Sequence, residues 1–228
     1  DLRVRRAIAH ALDREDIVKY VFAGAARPAD AILPPDHWAG ARGLQGYDYD
    51  PDRARALLRA AGYGPSRPAH LVYKTSSDPF RVRLATIIQA ELKRVGVDVD
   101  VRSYDWGTFY GDVKAGCVQL DSLSWVGIKS PDILRVAFHS DSVPPAGANR
   151  GRFSDAQVDR LIDAAEHTSD EAEAARDYGL VQQRLLDELP YVPLWYEDHV
   201  YAARDGVTGY TMAADGNYDG LINVHRVK

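Results

Sequence analysis

Seven histidines, His10, His37, His70, His139, His167, His199 and His225, are the side chains best suited to hold a metal or shuttle a proton. None stands three or four positions from another, the spacing that would set two imidazoles on one helix face, and neither H-E-x-x-H nor C-x-x-C occurs. Asp48-Tyr49-Asp50-Pro51-Asp52 has the look of an opening calcium loop, but the positions that need glycine and glutamate are Arg53 and Arg59. It reads instead as the capped start of a helix. Cys117 is the single cysteine, and Gly116-Cys117-Val118 carries no pattern for an oxyanion hole. No G-x-S-x-G elbow and no glycine-rich phosphate loop is present. The residues therefore point away from an enzyme, and no cofactor or metal is expected.

Binding chemistry is better represented. Large aromatics gather at Tyr104-Asp105-Trp106, at Trp125 and at Trp195-Tyr196, with Trp38 in a loop-like stretch. Such rings beside loops can line a ligand cleft, since they offer apolar area and a polar handle. For Trp106 and Trp125 pocket and core both stay open; Trp195 reads as core. Asn149-Arg150-Gly151-Arg152 sets two guanidinium groups in a loop, suited to a carboxylate or phosphate or else merely solvated.

The elements that must position these residues sit in a chain of 228 residues, with 46% hydrophobic and 27% charged, ordinary values for a globular protein. Lys+Arg 28 against Asp+Glu 33 leaves a net charge of −5, which argues against a nucleic-acid binder. No apolar run approaches the roughly 20 residues of a membrane span. No signal peptide opens the chain, which begins inside helix-like sequence and reads as part of something longer.

Asp1, Asp13 and Asp50-Pro51 announce three helices, the last closing at Gly62. Residues 25–49, rich in Pro and Gly, read as a long loop. Leu71 to Thr75 reads as a strand. A helix capped by Ser77 or Asp78 follows, with Phe80, Leu84, Ile87, Ile88, Leu92 and Val95 on one stripe. Val97, Val99 and Val101 then alternate with polar residues as a half-buried strand. Strand, helix and strand with short joins predict a parallel βαβ unit. A helix over 106–115 and a weaker strand over 119–125 extend it, and a short helix spans 131–138. Ser154 caps one further helix and Ser169 or Asp170 a longer one, with Val181, Leu185 and Leu189 inward. Pro190 stops that helix, and Tyr191 to Tyr196 reads as a buried strand.

Several of these stretches resemble one family. Pro190-Tyr191-Val192-Pro193-Leu194-Trp195 is similar to the P-x-[IV]-P-L-[WY] stretch of the peptide/nickel-type (family 5) extracellular solute-binding proteins of ABC importers. Arg3 to Arg14 resembles that family's RVRxAIxxAIDR. Tyr49 to Tyr63 resembles YDPxxAxxLLxxAGY, Gln89 to Val101 resembles IQxxLxxxGIxVxI, and Phe153 to Leu161 resembles YSNPxVDxL. Five soft motifs in the right order, over most of the chain, make the match specific. The resemblance implies an α/β fold: a mixed sheet with a parallel βαβ unit flanked by helices, the second lobe of a two-lobed periplasmic binding protein. Residues 1–206 would form that lobe, and residues 207–228 a tail returning toward a missing N-terminal lobe of the same protein.

The same resemblance implies a small-molecule or peptide ligand bound without chemistry, an ABC permease in the membrane as partner, no nucleic acid, and a periplasmic or membrane-anchored extracellular location. In peptide-binding members a Trp followed three positions later by Asp lies at the cleft, where the Asp pairs with the free amine. Trp125 matches the Trp, but the third position is Ile128. Trp106 matches a Trp some 19 residues earlier, and the basic residues that follow it there become Val113 and Lys114. Losing the Asp removes a charge-assisted bond of about 1.5–3 kcal/mol. Lys129 and Arg150, facing the cleft, would favour an anionic or carboxylate-bearing solute. The candidate ligand-binding residues are thus Trp106, Trp125, Ile128, Lys129, Asn149 and Arg150. An interaction or sensor domain reusing this lobe, or an enzyme with a dispersed site, are the rival readings.

Overall fold

The computed structural model describes residues 1–227. The chain starts with α1 (Leu2–Ala11) and α2 (Arg14–Val21), whose caps are the Asp1 and Asp13 carboxylates. A short strand β1 (Ala26–Pro28) follows, inside the stretch that composition marked as loop. Its ladder partner lies almost 170 residues away, so local sequence holds no trace of it. Next is α3 (Pro51–Ala60), with Asp50 as its cap and Pro51 at its first position, where a missing N–H costs nothing.

The expected βαβ unit is present: β2 (Ala69–Ser76), α4 (Pro79–Arg94) and β3 (Val97–Tyr104), the strands parallel from Ala69↔Val97 to Ser76↔Tyr104. Asp78 is the cap of α4. Leu84, Ile88 and Leu92 are buried as the stripe requires, whereas Phe80 at the helix start is exposed and packs edge-on against Phe22. The predicted strand over 119–125 shrinks to one parallel bridge, Leu120 to Tyr73 on the other edge of β2. Beyond it the chain leaves the sheet, since residues 121–129 have turned to the cavity described below.

Helix α5 (Trp106–Ala115) ends on Gly116 in the left-handed region, φ 73°. A Cβ there would strike the Arg152 guanidinium. Helix α6 (Ile133–Phe138) is followed by a short 3-10 turn, Ser140–Ser142. The cap of α7 (Ala156–His167) is Asp155 and not Ser154, because the helix begins one residue later and the Asp155 carboxylate reaches both Gln157 N and Val158 N. Helix α8 (Glu171–Glu188), capped by Asp170, buries Val181 and Leu185 and stops at Leu189, φ 47°.

The predicted buried strand over 191–196 is corrected. Only β4 (Trp195–Glu197) pairs, antiparallel to β1, and none of its residues is buried. The two prolines remove backbone donors, so the chain before it runs irregularly. The tail carries β5 (Val207–Thr208), a 3-10 turn Asp219–Asn223 and β6 (His225–Arg226), with β5 and β6 antiparallel.

Two cores result. One joins α1, α3, α4 and the β2·β3 pair through Leu12, Leu58, Leu84, Leu92 and Val97. The other joins α6, α7 and α8 through Leu134, Val158, Ile162 and Val181, with Leu33 and Ala39 from the loop. Polar side chains lock them together. Arg5 donates to Glu188 O at 2.8 and 3.1 Å and Arg6 to Asp187 O at 3.0 Å, so two guanidinium groups of α1 satisfy the carbonyl end of α8, where positive charge is favoured. Arg14, largely buried, donates to Ala29 O, to Pro193 O at 3.3 Å and to Tyr47 O at 2.9 Å, drawing three loops to one point.

Candidate functional site

A cavity of about 1440 Å³ runs between the two cores, roomier than a pocket for one small metabolite. One wall comes from the chain that departs the sheet at Leu120. Tyr73 of β2 donates its hydroxyl to Ser122 Oγ at 2.7 Å, and Arg81 of α4 donates to Ser124 Oγ at 3.1 Å. These bonds hold an irregular segment in place and aim Asp121 and Trp125 into the cavity. The placement beside a parallel strand pair is where open α/β sheets offer a crevice.

A second part of the lining is the loop carrying Arg150, and Asn149 is its clamp. The Asn149 side chain donates to His139 O at 3.1 Å and Phe153 O at 2.7 Å and accepts from Phe153 N at 2.9 Å. Its hydrogen-bonding capacity is spent on backbone, it is 1% exposed, and it does not line the cavity. Asn149 is thus placed as a support for Arg150 and not as a contact for solute. Arg152 donates to Ala115 O at 2.9 Å, tying the same loop to the end of α5.

Arg150 itself sits between two rings. Its guanidinium carbon lies 4.8 Å from the Trp125 centroid and 5.2 Å from that of Tyr110, and it donates to the Tyr110 hydroxyl at 3.1 Å. Tyr110 in turn stacks on Trp106, centroids 5.3 Å apart and planes 8° apart. A stack of Trp106, Tyr110, Arg150 and Trp125 therefore brings three of the predicted residues together, two in the cavity wall and Trp106 outside it, 57% exposed, as the outer buttress. Both rings lie within cation–π distance of the guanidinium, whose Nε is buried without a partner.

Ile128 and Lys129 also line the cavity. Ile128 packs on the helical core. Lys129 Nζ lies 3.6 Å from both Asp215 and Asp219 carboxylates, so its charge is already countered by the tail, whereas Arg150 joins no ion pair among the described residues. Sequence reasoning missed Asp121 and Tyr191. Burial raises the Asp121 pKa above the usual carboxylate range, against the pull of Arg150. Burial likewise raises the Tyr191 phenol, opposed by Arg150 and reinforced by Asp121. Asp121 follows a single bridging residue and Tyr191 sits in the apparent strand, so neither carried a local signal.

This arrangement can clasp a planar anion against an aromatic wall, and the comparisons agree with a binding role. The model of the bacterial extracellular solute-binding proteins, family 5 middle, matches residues 1–141. The chain belongs to this family. Di/tripeptide-binding protein 2 of Pseudomonas aeruginosa is 33% identical over 93% of the chain and 41% of its own length. The dipeptide-binding protein of Escherichia coli is 28% identical over 96% of the chain and 42% of its own length. Among solved structures, the ABC transporter-associated periplasmic binding protein DppA from Helicobacter pylori, in complex with the peptide STSA, superposes with a TM-score of 0.84 at 27% identity. That likeness covers 100% of this chain and 44% of the other. The family-5 chain thus spans about two fifths of the length of the relatives it matches, and these relatives are binding proteins. Its mixed α/β architecture is that of part of a periplasmic binding protein.

Proposed function

We propose that this chain is the second lobe of the solute-binding component of an ABC importer, gripping a carboxylate-bearing solute without transforming it. The observation that carries this reading is the Arg150 guanidinium held between Trp125 and Tyr110 at the edge of a large cavity, in a family-5 chain. An always-charged fork that joins no ion pair among the described residues suits a carboxylate. Relatives named for dipeptides and di/tripeptides support a peptide or related small solute.

On this reading residues 1–206 form the lobe and residues 207–228 run back toward the rest of the receptor. A cleft closed by the other lobe buries what this lobe alone leaves open. The receptor works outside the cytoplasmic membrane, in the periplasm or anchored to it, and hands its solute to the permease. No step of the cycle calls for catalysis. Half a cleft binds weakly, because association costs its full entropy while half the contacts are absent.

Calorimetric titration with a panel of dipeptides and small carboxylates tests this. Binding that Arg150→Gln weakens by about tenfold or more, while Lys129→Ala weakens it less, is the expected result. Unchanged affinity in Arg150→Gln, or turnover of the bound solute, would overturn it.

A further inference from the structure

A second depression, of about 510 Å³, shares only Trp38 with the large cavity. It is lined by the end of α7, the start of α8 and the segment that leads into α6. Trp38 is 45% exposed, yet its loop is fixed. Gln182 of α8 donates to Ala39 O at 2.8 Å and to Tyr178 O at 3.0 Å, bolting that loop to the helix that carries Tyr178. The Trp38 and Tyr178 rings meet edge to face, centroids 6.0 Å and planes 78° apart. An exposed indole held in place is a ready cation–π partner.

The charge around this depression has one sign. Its charged lining residues are Asp132, Glu166 and Glu171, with no Lys or Arg among the described residues. Glu166 is already engaged, since Arg135 Nε donates to its two oxygens at 2.7 and 2.8 Å. The Asp132 and Glu171 carboxylates make no hydrogen bond and no ion pair among the described residues. Asp132 stands at the N-cap of α6 but makes no capping bond, whereas the Asp caps of the other α-helices do. Its acceptors are therefore unspent.

Tyr178 adds an independent observation. It is 3% exposed, lines the depression, and its hydroxyl makes no hydrogen bond among the described residues. A polar group so withdrawn from water normally has a partner. Burial, and then the charges of Glu166 and Asp132, push its pKa up to about 12, so the phenol stays neutral and its oxygen can accept an N–H.

We infer that Trp38, Tyr178, Asp132 and Glu171 form a second binding site, outside the large cavity, for a guanidinium or primary ammonium group. The indole takes the charge on its π face, the two free carboxylates pair with it, and the buried phenol oxygen accepts one N–H. Acceptors on every side favour a cation that carries N–H donors, and a planar guanidinium also stacks on the ring. The site goes beyond the solute-binding role proposed above and does not depend on it.

Titration of the 228-residue chain followed by nuclear magnetic resonance tests this at the Trp38 indole N–H, a signal identified by its loss in Trp38→Phe. The probes are N-ethylguanidinium, its neutral counterpart N-ethylurea, and an acetylated, amidated tripeptide with one central arginine. N-ethylguanidinium or the tripeptide should shift the signal saturably at millimolar concentrations, and N-ethylurea should bind about tenfold or more weaker. A response to the tripeptide alone would assign the cation to a polypeptide side chain; a response to both would assign it to the group itself. Joint Asp132→Asn and Glu171→Gln, both at exposed positions, should weaken binding about tenfold or more, and Tyr178→Phe should weaken it less. Asp121→Asn, in the large cavity, should leave it unchanged. Thermal melting checks that each variant is folded. No saturable shift with either cation, equal binding of N-ethylurea, or unchanged affinity in the doubly substituted chain would overturn the site. Loss of binding in Asp121→Asn would overturn it too, by placing the cation in the large cavity.

Discussion

Asn149 illustrates how a polar residue can serve a site without touching a ligand. Its amide makes three bonds to the backbone of its own loop and the preceding turn, and it is nearly inaccessible. Removing the amide strands two carbonyls and one N–H away from water. Asn149→Ala should therefore cost about 2 to 4 kcal/mol of unfolding free energy, measured by urea denaturation. Stability equal to the unaltered chain would refute the clamp. At this scale the sequence told which residue types were available and little about their assignment. Arg150 and Trp125 were legible as binding chemistry, and Asp121 was not. An aspartate after one bridging leucine has no distinguishing neighbours, and its environment is made by Arg150 and Tyr191, distant in the chain.

Between elements, the contact of α4 with the start of α2 carries a second buried carboxylate. Glu91 is buried and accepts from Asp13 N at 3.3 Å, at the cap of α2. Burial pushes its pKa from the ordinary 4.5 up to about 7, with Asp13 and Asp16 adding repulsion. The folded chain thus holds this proton more tightly than the unfolded chain. Its stabilisation is complete below pH 4.5 and is lost as the pH climbs through about 7. Glu91→Gln keeps an acceptor and removes the charge. It should raise the unfolding free energy at pH 8 by about 2 to 3 kcal/mol and leave it unchanged at pH 4. Equal effects at both values would exclude burial of the charge as the cause. The helices themselves were readable from Asp caps and apolar period, because both are local. The stretch over 191–196 misled, since its β-forming residues are interrupted by Pro193 and only Trp195 and Tyr196, at its end, find a partner strand.

The whole molecule is uneven in its burial. Among the described residues none after Leu189 is buried, and the tail exposes Tyr218, Leu221, Ile222 and Val227. Its ties to the body include Lys129 with Asp215 and Asp219, each 3.6 Å from an ammonium that is mostly exposed and therefore screened, so of small worth. Deleting residues 207–228 should lower the unfolding free energy by less than about 1 kcal/mol, as read by urea denaturation, and leave the cooperativity intact. A collapse of the transition would instead make the tail part of the lobe.

From the sequence alone came the helices, the βαβ unit and the family, because caps, periodicity and motif order are written in neighbouring residues. Tertiary structure alone decided that β1 pairs with β4, that the α1 arginines cap α8, that Asn149 supports and Arg150 faces the cavity, and that Asp121 lines the same cavity. Each of these depends on groups separated in sequence and brought together by packing, so their partners, burial and charge exist only once both cores have closed.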